Sequence, residues 1–198
     1  MVYAAGMPTG AEKTKRALLQ AAKAEFAEHG LAGARVDRIA ATAGINKQRI
    51  YGHFESKDGL FDAVLSQTMI EAAADKPLQP GDTPAEYAAR TFDFHRNHPE
   101  LLQLLLWEAL SRPVEAALQN PERQAHYAHK VDAFKAAGLD DRQSRYTLFM
   151  VLALTTYSRA LPQVTALILG RDHSDEELKN ALIDAVTNLT NTDHQTVD

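Results

Sequence analysis

Lys47, Gln48 and Arg49, followed by Tyr51 and His53, are side chains that can hydrogen-bond to phosphates and base edges, and they crowd into one short stretch. Lys and Arg neutralise phosphates; Arg or Lys can read guanine O6/N7, and Gln can read adenine N6/N7. A helix would present them together. Ile50 and Phe54, at i and i+4, supply its apolar face. Lys47, Gln48, Tyr51 and Gly52 then point to solvent, with Arg49 and His53 toward the edges. Just upstream, Val36, Ile39, Ala40 and Ala43 fall at i, i+3, i+4 and i+7, a second apolar stripe. Gly44 can stop that helix, Ile45 plugs the turn, and Asn46 is a good N-cap for the next. Two short helices joined by a tight turn are the arrangement that places the second in the major groove of DNA.

No other constellation points to chemistry as directly. Of the eight histidines, His95 and His98 are i, i+3, as are His126 and His129, so each pair can share a helix face. No cysteine or carboxylate stands at a ligand spacing beside them, so no metal site is expected. No nucleophile elbow, P-loop or dinucleotide fingerprint occurs. No catalytic residue and no cofactor is expected, and the chain does not read as an enzyme.

The 198 residues include 45% hydrophobic side chains, enough to bury a core in one compact chain or two small domains. The absence of cysteine excludes a disulfide scaffold and thiolate metal sites. The longest apolar run, Leu148 to Leu154, is far shorter than the ~20 residues of a membrane span. The first residues lack the pattern of a signal peptide. These features predict a cytoplasmic protein without a membrane partner. The net charge of −5 hides an asymmetry: residues 1–60 carry nine Lys and Arg against six Asp and Glu, so the remainder is strongly acidic. A basic end facing a polyanion and an acidic bulk repelled from it is what DNA binding would select.

The residues around the turn carry a family likeness. A first helix ends in FAEHGLAGARV, Phe26 to Val36, and is followed by DRIAATAGINKQRIYGHFESKDGLF, Asp37 to Phe61. In order, spacing and residue type, residues 13–65 strongly resemble the N-terminal domain of TetR-type transcriptional repressors. Tyr51, Phe54, Ser56, Lys57 and Leu60, in register after the turn, make the resemblance specific. It implies that Tyr51 touches a backbone phosphate and that Lys57, at the start of the fourth helix, does the same. It implies that His53 reaches phosphate or a base, and that Phe54 packs in the core. Arg49 is larger than the small residue common at its position. Gly52 replaces a bulky side chain and weakens its helix by about 1 kcal/mol relative to Ala. Both departures bear on the base-reading code. The expected DNA-contact set is Arg35, Val36, Asn46, Lys47, Gln48, Arg49, Tyr51, Gly52, His53 and Lys57.

The rest of the chain has to position this unit, and all of it reads helical. The spacing predicts helices at 10–29, 36–43, 46–53, 57–75, 84–97, 99–111, 121–137, 140–168 (bent or broken at Pro162) and 174–190. Thr9 to Glu12, Thr83 to Glu86 and Ser174 to Glu177 are capping boxes. Pro84, Pro99 and Pro121 suit first-turn positions. Lys76 to Asp82 reads as a break, and Asn191 to Asp198 as a frayed end. About nine helices fit an all-α protein with a helix-turn-helix domain at 10–56 and a helical dimerisation and ligand-binding domain at 57–191.

Leu178, Leu182, Ala185 and Leu189 recur at i, i+4, i+7 and i+11 on the last helix. Leu148 to Leu154, which includes Leu152, is apolar on every side, more than one core face needs. The resemblance implies that the last two long helices of each chain form a four-helix bundle with their mates, so a homodimer is expected. Phe92, His95, Leu102, Leu105, Leu106, Trp107, Leu110, Phe134, Tyr146, Phe149, Met150 and Tyr157 combine apolar bulk with a few polar tips, and are the candidate lining of a pocket for a small apolar effector. The function expected is a ligand-responsive repressor that binds a palindromic double-stranded DNA operator as a homodimer. The rivals are a ligand-independent DNA-binding adaptor or structural protein with a protein partner and, more remotely, an all-α carboxylate-metal enzyme.

Overall fold

A computed structural model of the chain describes residues 10–75, 78–79 and 81–192. Among these there are eleven helices and no strand: α1 (Gly10–Gly33), α2 (Val36–Ala43), α3 (Lys47–Phe54), α4 (Lys57–Asp75), α5 (Pro84–Asn97), α6 (Pro99–Ser111), α7 (Val114–Leu118), α8 (Pro121–Ala136), α9 (Asp141–Ala160), α10 (Pro162–Leu169) and α11 (Asp175–Thr192). The two helices beyond the expected nine have local causes. Five residues after Pro113 make the short α7. The long segment expected at 140–168 is cut at Leu161, at once the C-cap of α9 and the N-cap of α10. A residue before proline is pushed out of the helical region by the ring, so the break falls there. No helix of the described residues is long and apolar enough to cross a membrane.

Helix ends follow the side chains meant to cap them. Thr83 and Glu86 close a reciprocal capping box at the start of α5, and Ser174 and Glu177 exchange the corresponding bonds before α11. Asp140 and Gln143 form another at α9. The box expected at Thr9 lies outside the described residues, as do Lys76, Pro77 and Pro80 of the expected break and the frayed end from residue 193 on.

The chain forms two compact units: one contains the described residues up to Met69 together with Gln103–Arg112, the other Ile70–Leu102 and the residues from Pro113 on. The compact unit around the helix-turn-helix takes most of α4 and the second part of α6. Its core holds Leu18, Phe26, Ile39, Ile50, Leu60, Phe61, Val64 and Leu104, all essentially sealed from solvent. Phe26 and Phe61 meet edge to face with centroids 5.2 Å apart, an arrangement aromatic quadrupoles favour. In the second unit Tyr87, Ala88, Val131, Phe134, Leu148, Val151 and Val186 from α5, α8, α9 and α11 close a separate core.

Candidate nucleic-acid interface

Helix α3 is held by backbone geometry on both sides. At the end of α2, Gly44 turns left-handed, with φ 67°, and its N–H donates to Ala41 O at 3.2 Å while Ile45 N–H donates to Ala40 O at 3.0 Å. These bonds satisfy carbonyls that a helix end leaves orphaned. Asn46 then accepts the Arg49 N–H on Oδ1 at 2.9 Å, capping α3. At the other end Glu55 adopts φ 59°, ψ −41°, and Ser56 N–H bonds back to Phe54 O. The chain reverses so tightly that Ser56 Oγ can cap α4 by accepting the Gly59 N–H at 2.9 Å. A Cβ on Gly59 would stand 2.4 Å from Phe54 O, so the turn after α3 requires glycine there.

Ile50 is buried and Phe54 half-buried, while Lys47, Gln48, Arg49, Tyr51, Gly52 and His53 face solvent on α3, with Asn46 exposed at its cap. That is the division an apolar i, i+4 pair imposes. Arg35 is exposed as well, but its N–H is held by Glu25 Oε1 at 2.7 Å. Val36 differs from the rest of the expected contact set: its side chain is buried in the core of this unit. As the first residue of α2 it begins the stripe continued by Ile39 and Ala40, so its phase points inward.

Two of the expected contacts are engaged within the protein. Lys47 Nζ lies 2.9 Å from Asp37 Oδ1 of α2, and that carboxylate holds the ammonium pKa above the ordinary lysine value. Lys57 Nζ donates to Ala32 O at 3.4 Å and Ala34 O at 3.2 Å, capping the chain as it leaves α1. Beside them Arg38 forks onto Glu25, with Nε 2.9 Å from Oε1 and Nη2 2.6 Å from the same oxygen. The Arg38 hydrogen bonds are the main reason the Glu25 pKa lies below the usual carboxylate range. Asp37 and Arg38 are functional neighbours the sequence reading passed over. Both sit on the exposed face of α2, but nothing in their spacing announces partners on α3 and α1.

This geometry is a capped helix presenting a mixed basic and amide face, with its buried side locked into a three-helix core. It can dock on a polyanionic duplex and hydrogen-bond in its major groove. The profile of bacterial regulatory proteins of the tetR family matches residues 18–64, and that of the Tetracyclin repressor-like, C-terminal domain matches residues 83–187. The chain belongs to the TetR family of transcriptional regulators. It is therefore a DNA-binding regulator and not an enzyme, and regulators of this family bind operators and act as dimers. The chain is 39% identical over 169 residues to the HTH-type transcriptional repressor SCO4008 of Streptomyces coelicolor, covering 80% of this chain and 85% of that one. It is 29% identical over 191 residues to the regulator RutR of Escherichia coli K12, covering 88% and 87%. The crystal structure of the regulator SCO4942 of Streptomyces coelicolor superposes with a TM-score of 0.72 at 31% identity, covering 89% of this chain and 97% of that one.

The side chains expected to line an effector pocket are divided between the two compact units. Trp107, with Leu106 and Leu110, belongs to the unit of the TetR helix-turn-helix, and Leu110 is largely exposed. In the second unit Phe92, His95, Leu102 and Phe134 are buried, whereas Tyr146, Phe149, Met150 and Tyr157 face solvent. The reason is helical phase. Ser144, Leu148, Val151 and Thr155 form the buried stripe of α9. Tyr146, Phe149, Met150, Ala153 and Tyr157 fall on the other side at i, i+3, i+4, i+7 and i+11, a second apolar stripe left uncovered. Leu152, expected at the dimer interface, is half-buried against the core. On α11, Leu178, Leu182 and Ala185 are half-buried and Leu189 is exposed. Two interior hydroxyls of α9, Ser144 Oγ and Ser158 Oγ, have no hydrogen-bond partner among the described residues.

Proposed function

We propose that this TetR-family protein is a ligand-responsive repressor that binds a two-fold symmetric operator as a homodimer, with an N-terminal DNA-binding domain at 10–56 and a regulatory and dimerisation domain at 57–191. The observation that carries it is the capped recognition helix, whose exposed face is Lys47, Gln48, Arg49, Tyr51 and His53. Tyr51, His53 and Lys57 act on phosphates and fix the register, while Lys47, Gln48 and Arg49 are the side chains within reach of base edges. Engagement of Lys47 or Lys57 exchanges a bond within the protein for one to DNA.

Dimerisation is assigned to the uncovered apolar stripe of α9 together with the half-buried stripe of α11, since exposed apolar patches such as that on α9 mark interaction sites. Those stripes draw Tyr146, Phe149, Met150 and Tyr157 toward the dimer face. The effector is assigned to the interior of the C-terminal domain near Phe92, His95 and Phe134. The unpartnered hydroxyls of Ser144 and Ser158 support this, because buried polar atoms are seldom left unsatisfied. Such an effector would be largely apolar with one or two hydrogen-bonding groups, and it acts only through its different affinities for the two forms of the protein.

The test is selection of binding sites from random duplex DNA with the purified protein, followed by titration at increasing salt. A symmetric site, and a steep loss of affinity with salt, are expected. Tyr51→Ala should weaken all sequences alike, and Gln48→Ala should change the preferred base. A protein that enriches no symmetric site sinks the proposal.

A further inference from the structure

The most exposed large apolar side chain among the described residues is neither on the recognition helix nor on the α9 stripe. It is Leu167, 86% accessible, followed directly by Ile168 at 69%. Both stand in the last turn of α10, whose inward side is Thr165. Immediately beyond, the chain turns at Gly170 into α11, and a groove of about 560 Å³ opens there. Leu169, Leu178 and Ala181 give it apolar walls, and Arg171, His173 and Glu177 are among its polar lining. The groove is held open by bonds within the turn: His173 Nδ1 lies 2.7 Å from Gly170 O, and Ser174 accepts the Glu177 N–H at 3.3 Å. A protruding apolar pair and an apolar-walled groove thus stand close together in the chain, and among the described residues neither is covered.

We propose that Leu167 and Ile168 of one protomer dock in the groove between α10 and α11 of its partner, and reciprocally. This rests on the α9–α11 dimer put forward above and extends that interface. Three features favour a second copy of this chain as the occupant. A two-fold interface must be self-complementary, and a knob beside its own socket is the simplest patch that satisfies this twice over. The groove is continuous with the α11 stripe, because Leu178 lines the one and begins the other. The third is area. Phe149, Tyr146 and Tyr157 on α9 are 68%, 56% and 47% exposed, which together offers on the order of 350 Å². A stable dimer buries about 800 Å² per partner, so the aromatic stripe needs apolar flanks, and the α10 tip is the nearest in sequence.

The chain contains no cysteine, so engineered thiols report without background. A tagged Leu167→Cys chain is co-expressed with an untagged Ala181→Cys chain and the product is oxidised. With one thiol per chain, any disulfide is between protomers. The expected product is a covalent pair joining a tagged to an untagged chain, in excess of either homodimeric disulfide. In parallel, Leu167→Asp/Ile168→Asp should raise the dimer dissociation constant at least about tenfold in sedimentation equilibrium, with the helical circular dichroism unchanged. A disulfide only between two Leu167→Cys chains, or no disulfide together with an unchanged dissociation constant, overturns the docking. Leu182→Glu and the unmodified chain separate the two ideas. A monomeric unmodified protein removes the dimer and the docking together. A dimer that Leu182→Glu dissociates but the α10 pair does not weaken leaves the α9–α11 interface standing and removes the docking alone.

Discussion

The indole of Trp107 lies flat against Gly30, so close that a Cβ on that glycine would stand 2.7 Å from ring atoms Cδ2 and Cε3. Gly30 has φ 67° and ψ 178°, which breaks α1 and leaves nearby carbonyls without their helical donors. One of these, Ala27 O, accepts the Trp107 Nε1–H at 3.1 Å. The tryptophan therefore fills the space the missing side chain leaves and caps the helix the glycine ends. Gly30→Ala is expected to destabilise the protein by about 2 kcal/mol or more, since it combines a positive φ with overpacking. Trp107→Phe keeps most of the ring but loses the bond, at a cost of about 1 kcal/mol. Urea unfolding followed by circular dichroism measures both, and equal losses would contradict this account.

Gly59 makes a comparable demand on the other side of the recognition helix. Its missing Cβ would stand 2.4 Å from Phe54 O, a backbone atom that moves only if the turn at Glu55 moves. Gly59→Ala should destabilise the fold by roughly 1–3 kcal/mol and weaken DNA binding further by displacing α3. Gly52→Ala, where no atom lies within 4 Å of the added Cβ, should stabilise α3 by about 1 kcal/mol. Opposite signs in thermal melts of the two variants are the expected outcome.

Lys47, on the face proposed to meet DNA, is paired to Asp37 at 2.9 Å. Asp37→Asn frees the ammonium and removes a negative charge from the docking face. Affinity for non-specific duplex should rise a few-fold, and the salt dependence should steepen. Titrations at several salt concentrations decide this; an unchanged affinity and slope would mean that the pair with Asp37 does not hold Lys47 back from DNA.

His126 should make the C-terminal unit acid-sensitive. Burial, reinforced by Lys130, His129 and Arg123, lowers its pKa from 6.5 to about 4. The unfolded chain binds a proton near the ordinary value and the folded chain does not. Stability is therefore intact above pH 6.5, falls as pH drops toward about 4, and levels off below that. His126→Gln should flatten this part of the pH–stability curve. A curve unaltered between those limits would show that His126 stays solvated.

Much of this was legible in the chain itself. A helix is written by local periodicity and capping, so the α2–turn–α3 unit could be placed from Val36, Ile39, Gly44, Asn46 and Ile50 alone. The family followed from Tyr51, Phe54, Ser56, Lys57 and Leu60 in register. The break at Leu161 followed from Pro162, because a proline ring constrains its neighbour whatever the fold. Partnerships between helices are different, since they depend on how rigid elements are rotated against one another. The engagement of Lys57 with the Ala32 and Ala34 carbonyls, of Lys47 with Asp37 and of Trp107 with Ala27 has no spacing rule behind it. The apolar residues of α9 show the limit most plainly. Periodicity sorts Leu148 and Val151 from Phe149 and Met150 onto opposite faces, but both faces are apolar. Only packing against α5 and α8 chose the first for the interior and left the second exposed.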